Sequence, residues 1–133
     1  MKKLEHIGIA VRDLAAATEL FGSLLGTQPY KEEVVEREGV RTVFFKVGEV
    51  KIELLGALDE RSPIHKFLEQ HGQGLHHLAF HTEDIQQEGA DLAAKGFRFT
   101  ADQPSDGADN KLIRFIHPRA AGGVLVELCQ DKS

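Results

Sequence analysis

Cysteine occurs once in the 133 residues, as Cys129, so an internal disulfide framework and every thiolate-based zinc motif are excluded. Any metal centre must be built from imidazole, carboxylate and water. No run approaches the roughly 20 consecutive apolar residues of a membrane-spanning helix, and Met1-Lys2-Lys3-Leu4-Glu5 lacks the apolar stretch of a secretion signal. The sequence therefore predicts a cytoplasmic protein without a membrane partner. Basic runs are also missing and the net charge is −5, which argues against nucleic acid as a partner. A small anionic ligand held by a few local cations remains compatible. With 41% hydrophobic and 28% charged residues, what is present suits one compact domain.

That domain contains a repeat. HIGIAVRDL at 6–14 lies over HLAFHTEDI at 77–85 without a gap, His on His and an acid before an aliphatic residue on its counterpart. A helix-like stretch follows each copy, at 15–26 and 86–96, ending in Gly as helix C-termini often do. Each half then closes with an apolar run holding one acid, VKIELLG at 50–56 and GVLVELC at 123–129. The His-to-Glu separations are 47 and 50 residues. Strands are expected at HIGIAV, VRTVFFKV, VKIELL, HHLAF, KLIRFI and VLVEL. The expected organisation is module one over about 1–57, a linker helix over about 58–72 and module two over about 73–133. Ser62-Pro63 opens the linker helix, with Ile64, Phe67 and Leu68 on one side.

Side chains alternate along a strand, so His6 shares a face with Gly8 and Ala10, unusually small neighbours. Glu53 and Glu127 sit inside apolar runs, where a lone carboxylate costs several kcal/mol unless it is paired or metal-bound. A single strand histidine is usually an ordinary hydrogen-bonded residue; a matched His and Glu in both halves calls for a common cause. If the two copies face each other about a pseudo-twofold axis, His6, Glu53, His77 and Glu127 converge in one cleft. Such donors suit a divalent ion: Zn, Co, Mn, Ni or Mg. His76 competes with His77, but the two point to opposite faces and the repeat register favours His77.

These residues resemble the vicinal oxygen chelate superfamily, which includes glyoxalase I and the extradiol dioxygenases, and within it the methylmalonyl-CoA epimerases most closely. The resemblance runs through HIGIAVRDL, Gly39-Val40, IELL at 52–55, SPIHKFLEQHGQGLHHLAF at 62–80 and FIHPRAAGGVLVELCQ at 115–130. It implies an α+β fold of two βαβββ modules forming a curved, mostly antiparallel sheet around a metal site, and a homodimer. It implies metal ligation by His6, His77 and Glu127, with Glu53 as a fourth ligand, direct or through water. The activity implied is interconversion of the C2 epimers of methylmalonyl-CoA, an acyl-CoA thioester, through an enolate. Glu127 is then one acid/base group. Some family members carry a second Glu where this chain has Thr42, which cannot act as a base, so Glu53 or a water takes that role and Thr42 is kept as a substrate-binding position. Lys111 and Arg114 are candidates to hold the phosphates or the acyl carboxylate. Ala108-Asp109-Asn110-Lys111 departs from the more usual Ala-His-Gly-Lys. The alternatives are a glyoxalase I-type lactoylglutathione lyase and a non-catalytic small-molecule binder of the same fold.

Overall fold

The structure, a computed structural model, describes residues 3–132. They divide into two compact units: residues 6–76, and residues 77–132 together with residues 3–5. The first contains β1 (Lys3–Ala10) from His6 onward, α1 (Leu14–Leu25), β2 (Lys31–Val35), β3 (Val40–Val47), β4 (Val50–Ala57) and α2 (Pro63–His71). The second contains β5 (Gly74–His81) from His77 onward, α3 (Ile85–Ala94), β6 (Ser105–Gly107), β7 (Lys111–Ile116) and β8 (Val126–Asp131). Each is a βαβββ module of the α+β class, as the resemblance implied.

The helices start and stop where local chemistry dictates. Asp13 caps α1 by accepting from the Ala16 amide at 3.0 Å, and Asp84 caps α3 by accepting from the Gln87 amide at 3.0 Å. Both satisfy amides that the first helical turn leaves without partners. Gly26 ends α1 in the left-handed region, with φ of 67°, which a side chain disfavours. Ser62 caps α2 by accepting from the Ile64 amide, with Pro63 in the first turn.

Within the first unit the strands are ordered β2-β3-β4-β1, with β1 parallel to β4 and the other pairs antiparallel. The second repeats this as β6-β7-β8-β5, with β5 parallel to β8. In the first unit α1 lays Leu14, Ala17, Phe21 and Leu25 on Ile9, Val11, Val43, Phe45, Ile52 and Leu54. Full burial of side chains such as Phe45 and Leu54 contributes about 1.5–3 kcal/mol each. The opposite face carries His6, Ala10, Thr42, Phe44, Glu53 and Leu55, and Ile64 and Leu68 of α2 cover its far end against Ala10, Val40 and Leu55. In the second unit α3 packs Ile85 and Leu92 with Ile116 and Leu128. Alternation turns Glu127 and Cys129 the other way, with Ala79, Ile113 and Phe115.

β2 and β6 carry no apolar run in the sequence. Each is the outermost strand of its module, and their sequences, KEEVV and SDG, are the short, charged strands that suit a sheet edge. No described helix is long and apolar enough to cross a membrane.

Candidate metal and acid/base site

The two halves build the same small constellation. In the first unit the parallel register sets Gly8 opposite Glu53, with His6 two residues before Gly8. In the second, Ala79 lies opposite Glu127, with His77 two residues before Ala79. The difference between separations of 47 and 50 residues is therefore absorbed outside these strand pairs. Having Gly and Ala beside the carboxylates leaves room for the imidazole to reach along the sheet face. His6 Nε2 lies 3.2 Å from Glu53 Oε1, and His77 Nε2 lies 3.2 Å from Glu127 Oε1. All four residues are 5% exposed, so each carboxylate has lost its water and gained an imidazole partner in exchange.

That spacing fits a metal. Two donors each about 2.1 Å from a divalent ion lie about 3.0 Å apart when cis in an octahedron and about 3.4 Å apart in a tetrahedron. Both pairs fall between these limits. The same separation also suits a hydrogen bond from a protonated Nε2, which accounts for the pairs without an ion. Neutral imidazole with carboxylate is a donor set for Zn, Co, Mn or Ni, whereas Mg favours oxygen alone.

Glu127 has a further partner that the sequence reading passed over. Cys129 Sγ donates to Glu127 Oε2 at 3.0 Å, and both groups are buried. The signal was strand alternation, which puts residue 129 on the face of residue 127. His77 also packs edge-on against Phe115, with ring centroids 5.9 Å apart. His76 turns the other way, edge-on to Phe67 of α2 at 4.8 Å.

The remaining expected positions are placed as follows. Thr42 is buried on the Glu53 face, where Thr42 opposes Leu55 and Phe44 opposes Glu53. Its hydroxyl donates to the Glu33 carbonyl at 3.2 Å. Lys111 is buried at the cross-strand position opposite Asp131, with its ammonium 2.5 Å from that carboxylate and 3.9 Å from Glu5. Burial works against the Lys111 charge, but the Asp131 hydrogen bond and the Glu5, Asp131 and Asp109 carboxylates outweigh it and raise its pKa above the ordinary lysine value. Arg114 lies over the Phe99 ring at 3.9 Å and donates to the Ala101 carbonyl. It opposes Leu128 in the sheet, so it stands on the α3 side, away from Glu127. His117 caps the 3-10 turn Pro118–Ala121 by accepting from the Arg119 amide. A cleft of about 550 Å³ on the α3 side is lined by Phe80, Leu92, Phe97, Ile116 and Val126 among others, with Lys3 its single titratable side chain. Nothing there resembles an acid/base site.

Known proteins share this sequence pattern and fold. Residues 5–115 match the Glyoxalase/Bleomycin resistance protein/Dioxygenase superfamily. An uncharacterized protein of Bacillus subtilis (strain 168), YqjC, is 42% identical over 99% of this chain and 94% of its own. The mitochondrial methylmalonyl-CoA epimerase of Mus musculus is 37% identical over 96% of this chain and 72% of its own. A crystallised variant of the Streptomyces coelicolor methylmalonyl-CoA epimerase, in complex with 2-nitronate-propionyl-CoA, is 36% identical, superimposes with a TM-score of 0.94, and covers 98% of this chain and 95% of its own. The duplicated His–Glu register, the βαβββ modules and these matches together place the chain in the glyoxalase/bleomycin resistance protein/dioxygenase superfamily, in the company of its methylmalonyl-CoA epimerases.

Proposed function

We propose that this protein is a divalent-metal-dependent methylmalonyl-CoA epimerase in which His6, Glu53, His77 and Glu127 hold one ion. The observation that supports this most is the recurrence of a buried His–Glu pair at 3.2 Å in the same strand register of both modules, in a chain similar to epimerases over nearly its whole length. The C2 proton of methylmalonyl-CoA lies between a thioester and a carboxylate, and its removal leaves an enolate. When bound, a divalent ion supplies electrostatic stabilisation of the negative charge that develops on the substrate oxygens.

The chain's own residues supply the proton transfer. Epimerisation requires a proton taken from one face of C2 and one returned to the other. Glu127 accepts on one face and Glu53 donates on the other; the direction reverses for the opposite epimer. Thr42 has no proton-accepting group of useful basicity, so it takes neither role. Burial keeps both carboxylates away from bulk water during the transfer, so that the enolate is reprotonated by a carboxylate rather than by solvent, and the two carboxylates exchange protons with solvent between turnovers, which carries deuterium to C2.

The test is deuterium incorporation at C2 of methylmalonyl-CoA in D₂O, followed by NMR with the metal-loaded protein and with protein stripped by a chelator. The expected result is metal-dependent wash-in with interconversion of the epimers. Absence of wash-in by metal-loaded protein would overturn the proposal, and turnover of a glutathione hemithioacetal instead would assign the chain to the lyase chemistry of the same superfamily.

A further inference from the structure

The two His–Glu pairs differ in the residue two places beyond the glutamate. Two residues beyond Glu127, on the same strand face, stands Cys129; two residues beyond Glu53 stands Leu55. Leu55 packs with Ala10, Val40, Ile64 and Leu68 and has no group to donate. Cys129 donates to Glu127 Oε2 at 3.0 Å, while Oε1 of the same carboxylate faces His77.

We propose that Cys129 is a positioning residue, whose S–H fixes the Glu127 carboxylate so that Oε1 is presented to the metal at a constant angle. This rests on the metal-site reading above. A thiol is a weak donor toward a neutral acceptor, but toward an ionised carboxylate the bond is charge-assisted. The surroundings restrain the thiol: Cys129 is fully buried and packs with Ala79, Ile113 and Phe115. A fully buried strand residue has little freedom to swing away, so its hydrogen bond carries the rigidity of the sheet to the carboxylate. Groups that hold ligand side chains in this way typically account for about 10–100-fold in metal affinity. Leu55 offers no donor at the matching position, so this thiol contact is a feature of the Glu127 module.

A purely packing role for Cys129 predicts a different order of variants, which makes the two separable. Calorimetric titration with Co(II) would be carried out on chelator-stripped wild type, Cys129→Ser, Cys129→Val and Cys129→Ala, with folding checked by circular dichroism. If the thiol positions Glu127, Ser keeps a donor and binds Co(II) close to the wild-type affinity, while Val and Ala both bind about 10–100-fold more weakly. Equal affinity for all four, or a Val variant like wild type with a weakened Ser variant, would overturn the proposal.

A measurement on the unmutated protein covers the case of variants that fail to fold. With a single cysteine in the chain, the S–H stretching band belongs to Cys129 alone. It is expected at lower frequency in the native protein than after unfolding in guanidinium chloride. Coincident native and unfolded bands would overturn the proposal. Wild-type protein that bound no Co(II) at all would instead overturn the metal reading, and with it the positioning role, even if the band were shifted.

Discussion

Replacing His77 by Ala should separate stability from function in a measurable way. The substitution removes the imidazole 3.2 Å from Glu127 Oε1 while the carboxylate stays 5% exposed. Breaking a buried pair by deleting one partner costs about 3–5 kcal/mol, because the remaining charge keeps its desolvation penalty and loses its compensation. Cys129 still donates to Oε2, so the low end, about 3 kcal/mol, is expected for metal-free protein. For a domain of this size that is about 10 °C in Tm. Glu127→Ala should cost less, since an imidazole is neutral once deprotonated, and replacing both residues by Leu should recover most of the loss, because a buried ion pair is often no more stable than an apolar pair of similar volume. The assay is urea unfolding of chelator-treated wild type, both Ala variants and the Ala/Ala double variant, which close a double-mutant cycle, with the Leu/Leu variant measured beside them. His76→Ala is the control: it forfeits its edge-on contact with Phe67, about 1 kcal/mol, and keeps its Co(II) binding, while every variant lacking His77 or Glu127 loses that binding. Unfolding free energies for His77→Ala and wild type within about 0.5 kcal/mol of each other would refute the reasoning, as would equal loss of Co(II) binding from His76→Ala and His77→Ala.

Three further outcomes are expected. Lys111→Met should lower stability by about 1 kcal/mol at neutral pH, a value discounted because Asp131 is largely exposed. Since the folded pKa of Lys111 is raised, that contribution is fully present below the ordinary lysine value and disappears as pH rises through the folded one, so unfolding of wild type and variant should converge at strongly alkaline pH. Arg114→Ala should cost about 1 kcal/mol through the lost stacking on Phe99 and leave the KM for methylmalonyl-CoA unchanged, because the guanidinium stands on the α3 side; a raised KM would place it in substrate binding. Glu53→Gln keeps the size of the ligand and removes the base, so inversion should slow at least tenfold while deuterium exchange from one face continues, at full metal occupancy; parallel loss of both rates would make Glu53 a ligand only.

How far the sequence could be read follows from what each residue depends on. The helices were legible because their signals are local: Gly26 and Gly96 follow α1 and α3, and Ser62 acts on an amide two residues away. The inner strands announced themselves through apolar runs that fill the modules, such as VRTVFFKV and KLIRFI. KEEVV and SDG did not, since an edge strand forms by pairing with a neighbour already in place and has little apolar surface of its own to declare it. The pairing of His6 with Glu53 and of His77 with Glu127 was suggested by the repeat, but its register was not, because Gly8 opposite Glu53 and Ala79 opposite Glu127 are facts of strand pairing. Lys111 and Arg114 show the same limit. Their charge is visible in sequence, yet only the sheet reveals that one faces Asp131 and Glu5 and the other lies on an aromatic ring.

Duplication alone would give two equal carboxylates, and an epimerase has reason to keep them equal, since the reaction runs in both directions between substrates that differ only in the face carrying the proton. The differences between the modules are therefore informative. Leu55 in one and Cys129 in the other lie at the same offset from their glutamates, and Thr42 gives its hydroxyl to the Glu33 carbonyl rather than to the site. With no third carboxylate at position 42, the proposed mechanism gives both proton transfers to residues that would also hold the ion. The residue two places beyond Glu127 is a thiol that donates to it, and the residue two places beyond Glu53 is apolar. The consequence is directional: the epimer deprotonated through Glu53 should show the larger sensitivity to Glu53→Gln, and the epimer deprotonated through Glu127 the larger sensitivity to Cys129→Ala, when exchange from each pure epimer is timed separately.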